Sequence, residues 1–151
     1  MGQLQPHEER VASRVRDEAK TLLAGGRAAL DVTPAEGERP TICELRPTND
    51  AACRFVVQID SPKQLTLYLG RYGTVLELYD DEHDELLSEL VDYLRAVVAG
   101  RYRESVRLRD GELAKARGVL KLNGVEARIF SSRPATIGRR GPWQALSYEP
   151  Y

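Results

Sequence analysis

Residues 52–79 read ACRFVVQIDSPKQLTLYLGRYGTVLELY, and apolar and polar side chains alternate along them. Over Ala52–Asp60, Cys53, Phe55, Val57 and Ile59 fall on one face, with Arg54, Gln58 and Asp60 on the other. That is the period-two pattern of a half-buried strand. Gln64–Gly70 repeats it with Leu65, Leu67 and Leu69 facing inward, and Thr74–Tyr79 does so with Leu76 and Leu78. Thr41–Arg46 adds a shorter strand ahead of them, closed by Pro47. Four consecutive short strands joined by tight connections predict an antiparallel meander.

Helical spacing flanks the meander on both sides. Val11, Val15, Ala19 and Leu22–Leu23 recur at three- and four-residue intervals behind Pro6, Glu8 and Glu9, and Gly25-Gly26 ends the run. Between Ala28 and Pro40, Asp31, Thr33-Pro34 and Gly37 read as a connection. After the meander, Leu86, Leu87, Leu90, Val91, Leu94, Val97 and Val98 form an apolar stripe, with Asp80 or Asp81 as its cap and Gly100 as its end. Three strands follow: Tyr102–Arg109, Ala114–Leu122 and Val125–Phe130. Asn123-Gly124 joins the last two as a hairpin turn. From Ser131 onward the tail has no period.

This order, α-β4-α-β3 plus an irregular tail, predicts an α+β fold. The expected architecture is a single antiparallel sheet of six to seven strands with two helices packed on one face. Residues 1–151 then form one domain: an N-terminal helix (1–26), a sheet-helix core (41–130) and an irregular tail (131–151).

At 151 residues, with 42% hydrophobic and 30% charged content, the chain has the size of one globular domain and is too apolar for a disordered one. No apolar run approaches the roughly 18 residues of a membrane-spanning helix, so no membrane partner is expected. Met1–Arg16 lacks the apolar stretch of a secretory signal, which points to the cytoplasm and to reduced thiols. Folding the hairpin about Pro47–Asp50 would bring Cys43 and Cys53 near one another. The simpler expectation is two small buried apolar residues. With His7 and His83 remote in sequence, no zinc spacing emerges, and neither a metal nor a cofactor is expected.

The net charge is −1, yet residues 1–100 hold 11 Lys/Arg against 18 Asp/Glu, and residues 101–151 hold 11 against 5. The two parts therefore carry −7 and +6. The acidic excess peaks at Asp80-Asp81-Glu82-His83-Asp84-Glu85, followed by Glu89 and Asp92. Carboxylates at the start of a helix complement its dipole, and a run of them also offers a docking surface for a basic partner. Consecutive acids point in different directions and match no calcium-loop spacing. No Gly-x-Ser-x-Gly, phosphate-cradling or dinucleotide motif is present, so no catalytic residue is assigned. Carboxylate chemistry remains only as a pair converging in space.

The basic excess lies on the last strands. Arg103, Arg107, Arg109, Lys115, Arg117 and Lys121, with Arg101 and Arg128, are placed to line an outer sheet face, with Tyr68 and Tyr79 expected near them. Cations and aromatics on a sheet suit single-stranded nucleic acid. The pI of about 6.2 and the interleaved Glu104, Glu112 and Glu126 count against it. Trp143, among Arg139, Arg140 and Pro142, has the character of an interface anchor or of a plug returned to the core.

Leu67-Tyr68-Leu69-Gly70, the acidic helix start and Ala99-Gly100-Arg101-Tyr102-Arg103-Glu104 resemble small actinobacterial proteins, and the α+β organisation is similar to cytoplasmic immunity proteins of polymorphic toxin systems. The resemblance covers about two-fifths of the chain and brings no catalytic motif. It implies a stoichiometric inhibitor that blocks a basic toxin. The expected function is therefore non-enzymatic protein binding through Asp81, Asp84, Glu85, Glu89 and Asp92, with Trp143 as a further contact. The alternatives are a regulatory or nucleic-acid-binding module using the Arg-rich face, and a small carboxylate-dependent enzyme. Self-association into a homo-oligomer, acidic face to basic face, is the remaining expectation.

Overall fold

The computed structural model describes residues 2–71, 74–110, 112–122, 125–132 and 143–151. The expected Asn123-Gly124 turn, the side chain of Arg128, and Arg139, Arg140 and Pro142 in the tail lie outside the described residues. The fold is α+β with antiparallel sheets, as the alternation predicts. In chain order the elements are α1 (Pro6–Glu18), α2 (Lys20–Ala24), β1 (Ala28–Thr33), β2 (Thr41–Pro47), β3 (Phe55–Ser61), β4 (Gln64–Leu69), β5 (Thr74–Tyr79), α3 (His83–Val98), β6 (Tyr102–Arg109), β7 (Glu112–Leu122), β8 (Val125–Ser132) and β9 (Trp143–Ser147).

The strands form two sheets rather than the expected one. The first is a five-stranded meander in sequence order, β1 to β5, and the second has the order β8-β7-β6-β9. Alternation reports which side chains face inward; it carries no information on where a ladder stops. β5 and β8 are neighbours in space, but no backbone ladder joins them.

Two strands occupy segments expected to be irregular. β1 falls in the supposed connection after the first helix, where Ala28, Leu30 and Val32 alternate with exposed Ala29, Asp31 and Thr33. It pairs with β2, and Asp31 forms an ion pair with Arg46 across that ladder. β9 falls in the tail and pairs with β6, from Trp143 opposite Arg107 to Ser147 opposite Arg103. The first helix also pauses at Ala19 before resuming as α2. The N-cap of α3 is Glu82 instead of Asp80 or Asp81, although the Glu82 amide donates to Asp80 Oδ1 at 2.9 Å.

The inward faces make one core. Leu65, Leu67 and Leu69 of β4 and Phe55 and Val57 of β3 pack with Val11 and Val15 of α1. The same cluster takes in Leu86, Leu90 and Leu94 of α3 and reaches Tyr102 of β6 and Leu120 of β7. Each fully buried Leu or Val withdraws apolar surface worth about 1.5–3 kcal/mol. α3 touches both β5 and β7, so it spans the junction of the sheets and closes the inner side of each.

Cys43 and Cys53 are both free and buried. The β2–β3 register sets Cys43 opposite Val57 rather than near Cys53, which precedes β3. The two therefore sit as the small buried residues expected, and the alternative of a disulfide across that hairpin does not arise.

Candidate functional site

The outer face of the second sheet follows from strand parity and register. Along β6, Tyr102, Glu104 and Val106 are buried, which turns Arg103, Ser105 and Arg107 outward. On β7, buried Ala116, Gly118 and Leu120 leave Lys115, Arg117, Val119 and Lys121 on the outside. Ladder partners then bring Arg117 beside Ser105, Ser105 beside Ala145, and Arg107 beside Trp143. Five of the six predicted cationic positions thus share one surface. Arg109 lies past the irregularity that shifts register after Arg107, half-buried opposite Glu112.

Trp143 belongs to this face and not to the acidic helix with which it was grouped. The Arg117 guanidinium lies 4.1 Å from its ring centroid and the Arg107 guanidinium 5.3 Å. The floor beneath is built from small residues, Ser105 and Ala145, which lets Arg117 cross β6 to reach the indole. Such contacts contribute about 0.5–1 kcal/mol where exposed, and they hold a guanidinium in place without neutralising it. None of Arg101, Arg103, Lys115, Arg117 and Lys121 forms an ion pair with another described residue.

Next to Trp143 is a cleft of about 640 Å3, within the range of ligand sites. Arg101, Arg103, Arg117 and Lys121 supply the cations of its lining, which also includes Glu126, Gly118 and Ser147. Arg117 is shared between cleft and indole. Tyr68 and Tyr79, expected near the cations, sit in the first sheet instead. Tyr68 donates to Gln58 Oε1 and the exposed Tyr79 to Asp81 Oδ1.

Beneath the same sheet lies a polar cluster that strand alternation hides. Glu104 occupies an inward position on β6 and is 2% exposed. Tyr102 donates to its Oε2 at 2.9 Å, Thr74 donates to the same oxygen, and Tyr148 donates to Oε1 at 2.7 Å. The rings of Tyr102 and Tyr148 stack 5.5 Å apart. Burial, reinforced by the Glu104 charge, pushes both phenols well above their ordinary range. Only glycine fits beside this cluster at position 118, because a Cβ there would meet the Tyr102 hydroxyl at 2.6 Å. Gly70, at φ +76°, is similarly enclosed, with the Glu104 oxygens 2.7–2.8 Å from where a Cβ would stand. The signal in the sequence is Glu104 at the same parity as the apolar Tyr102 and Val106. Its reach to Tyr148 at the far end of the chain leaves no such signal.

The acidic residues remain together only in part. Asp81 pairs with Lys63 at 3.4 Å, and Asp84 pairs with Arg10 of α1. Glu85, Glu89 and Asp92 follow one another along α3 at helical spacing, with Glu85 and Asp92 exposed. The Glu89 carboxyl is raised by its partial burial and then by the charges of Asp80 and Asp92. His83 directs Nδ1 to the Pro62 carbonyl at 2.8 Å, and the described residues contain no group of acids, histidines and cysteines able to hold a metal. No helix among them is long and apolar enough to cross a membrane. Comparison with protein-family models, curated proteins and solved structures finds no match.

Proposed function

We propose that the chain is a non-enzymatic binding module whose outer face on the second sheet holds single-stranded nucleic acid. The observation that carries this reading is Arg117, which stacks on Trp143 and also walls the adjoining cationic cleft. An indole platform takes an unpaired base by its π-face, and the cations beside it take phosphates. An ion-paired cation would have to break a bond to bind; Arg101, Arg103, Lys115, Arg117 and Lys121 form no ion pair with another described residue. A duplex keeps its bases paired and stacked away from an aromatic side chain, so duplex should compete poorly.

The test is fluorescence anisotropy of a labelled single-stranded oligonucleotide across a salt series. If all five cations meet phosphates, log affinity should fall with log salt at a slope of about −3.5, from ~0.7 per contact. Arg117→Ala and Trp143→Ala should each weaken binding about 5- to 150-fold, matching ~1–3 kcal/mol per stacked base. Salt-independent binding, or equal affinity for duplex, would overturn the reading.

A second reading has its own observation. Glu89 is crowded by Asp80 and Asp92, and a cationic surface brought against α3 would relieve that repulsion. This supports docking of a basic protein through Glu85, Glu89 and Asp92, the inhibitor role that resemblance to immunity proteins implies. Co-purification of a basic protein from the native host, lost on reversing those three residues to Lys with melting unchanged, would favour it. Capture that survives the reversal sinks it.

A further inference from the structure

We propose that the C-terminal residues Tyr148–Tyr151 are a strap that positions Trp143, with Tyr148 as its positioning residue; this rests on the reading of the outer face given above. Among the described residues, β9 carries Trp143 on the edge of its sheet and pairs only with β6. None of its five residues is fully buried, Trp143 and Leu146 being half-buried and the other three exposed. A short edge strand with so little apolar burial is poorly held by its ladder, since each backbone residue ordered costs entropy that a net hydrogen bond only about offsets.

The four residues after β9 supply what the strand lacks. Tyr148 turns inward, donates to Glu104 Oε1 at 2.7 Å, and accepts from the Arg71 amide at 2.8 Å. The Glu149 amide donates to the Ala51 carbonyl at 2.9 Å, and its carboxylate accepts from Asn49 at 2.8 Å. The Tyr151 amide donates to the Val98 carbonyl at 3.0 Å, at the end of α3, and its hydroxyl reaches the Cys53 carbonyl at 2.5 Å. Three of the four residues thus grip Arg71 after β4, the loop before β3 and the last turn of α3. Those elements belong to the first sheet and its helix, whereas Trp143 belongs to the second. The strap therefore ties the binding face to the rigid core, and Glu104, next to Arg103 on β6, fastens it from below.

Trp143 is the chain's only tryptophan, so its emission reports its own position without any ligand. The experiment compares the full chain, Tyr148→Phe and a chain ending at Ser147, by acrylamide quenching of Trp143 and by oligonucleotide anisotropy, well below the melting temperature of each. Phe retains the ring stacked on Tyr102 and removes only the hydroxyl. The shortened chain should show Trp143 quenched about twofold or more faster and oligonucleotide affinity lowered about tenfold, as a fractionally docked strand multiplies the affinity by its docked share. Tyr148→Phe should move quenching the same way by less, with far-ultraviolet dichroism unchanged. If the shortened chain does not fold, the Phe variant decides alone. Quenching in Tyr148→Phe equal to that of the full chain, with the shortened chain either equal too or unfolded, overturns the strap. Should the full chain bind no oligonucleotide while quenching still rises in the variants, the strap stands and the ligand reading falls.

Discussion

Replacing Glu104 by Leu decides whether the buried carboxylate holds this fold or burdens it. Exchanging a buried ionic group for an apolar one of similar volume is often neutral or stabilising, because the desolvation of the charge is recovered. Here the partners left behind are three hydroxyls, of which Thr74 and Tyr102 have no route to water. A net hydrogen bond to a charged acceptor contributes about 1.5–3 kcal/mol, so the two buried donors lose about 3–6 kcal/mol. Tyr148 is half-buried and keeps the Arg71 amide as a donor to its oxygen, so its share is about 1 kcal/mol or less. Burying the Leu side chain returns about 1.5–3 kcal/mol. The balance is a loss of about 2–4 kcal/mol, which for a chain of this size lowers the melting temperature by about 4–16 °C. Glu104→Gln, which keeps one acceptor oxygen, should lose about half as much. Urea unfolding followed by far-ultraviolet dichroism at pH 7 measures both. A Glu104→Leu midpoint at or above that of the parent chain would refute the reasoning, because it would mean desolvation outweighs all three hydroxyl bonds.

Gly118→Ala places a Cβ 2.6 Å from the Tyr102 hydroxyl, and overpacking of that kind should cost about 1–3 kcal/mol in urea unfolding; an unchanged midpoint would show that the ring yields freely. Burial pushes the thiol of Cys43 from an ordinary 9.0 to about 11 and that of Cys53 to about 12. The unfolded chain therefore ionises first. Stability should hold up to about pH 9 and fall as pH climbs toward 11, the raised tyrosines adding to the loss above pH 10. A urea midpoint that stays flat from pH 8 to 11, or rapid alkylation of either thiol in the folded protein at pH 8, would contradict that environment. Arg95 grips Glu18 with both Nε and a terminal nitrogen at 3.0–3.1 Å, but on the surface. Arg95→Ala should accordingly shift stability by under about 1 kcal/mol, and a larger loss in thermal melting would assign that pair a structural role.

Much of the fold was legible because burial imposes a period. The β5 and β6 boundaries follow from alternation, and Leu86, Leu90, Leu94 and Val97 place α3. The misses share a physical cause. β1 and β9 lie at sheet edges, where one neighbour instead of two holds the strand and apolar burial is weak, so Asp31 and the small Ala145 and Ser147 are tolerated. Their stability comes from ladders and anchors distant in sequence, such as Asp31 with Arg46 or Tyr148 with Glu104. The cationic face was legible in composition and parity. Trp143 was not, because only the register of β9 on β6 puts it opposite Arg107.

The opposed charges of the two parts of the chain acquire a geometry from α3. The helix packs against the inner side of β7, so its acids and the cations of Arg103, Arg107 and Arg117 lie on opposite sides of the second sheet. Separation by a sheet and a helix, each about 10 Å thick, exceeds the Debye length of about 8–10 Å at physiological salt. The faces therefore neither neutralise one another within a molecule nor blur into a neutral surface, which is why a net charge of −1 conceals two strong local fields. On the proposed reading, the acidic side would repel the phosphate chain that the cationic side attracts and so steer a strand to one face. Were copies to associate by charge, the same polarity would make their contact heterologous, acidic face to cationic face, rather than two-fold. On the proposed reading, a strand bound to the outer face would occupy the cations such a contact needs, so the two would compete for one surface.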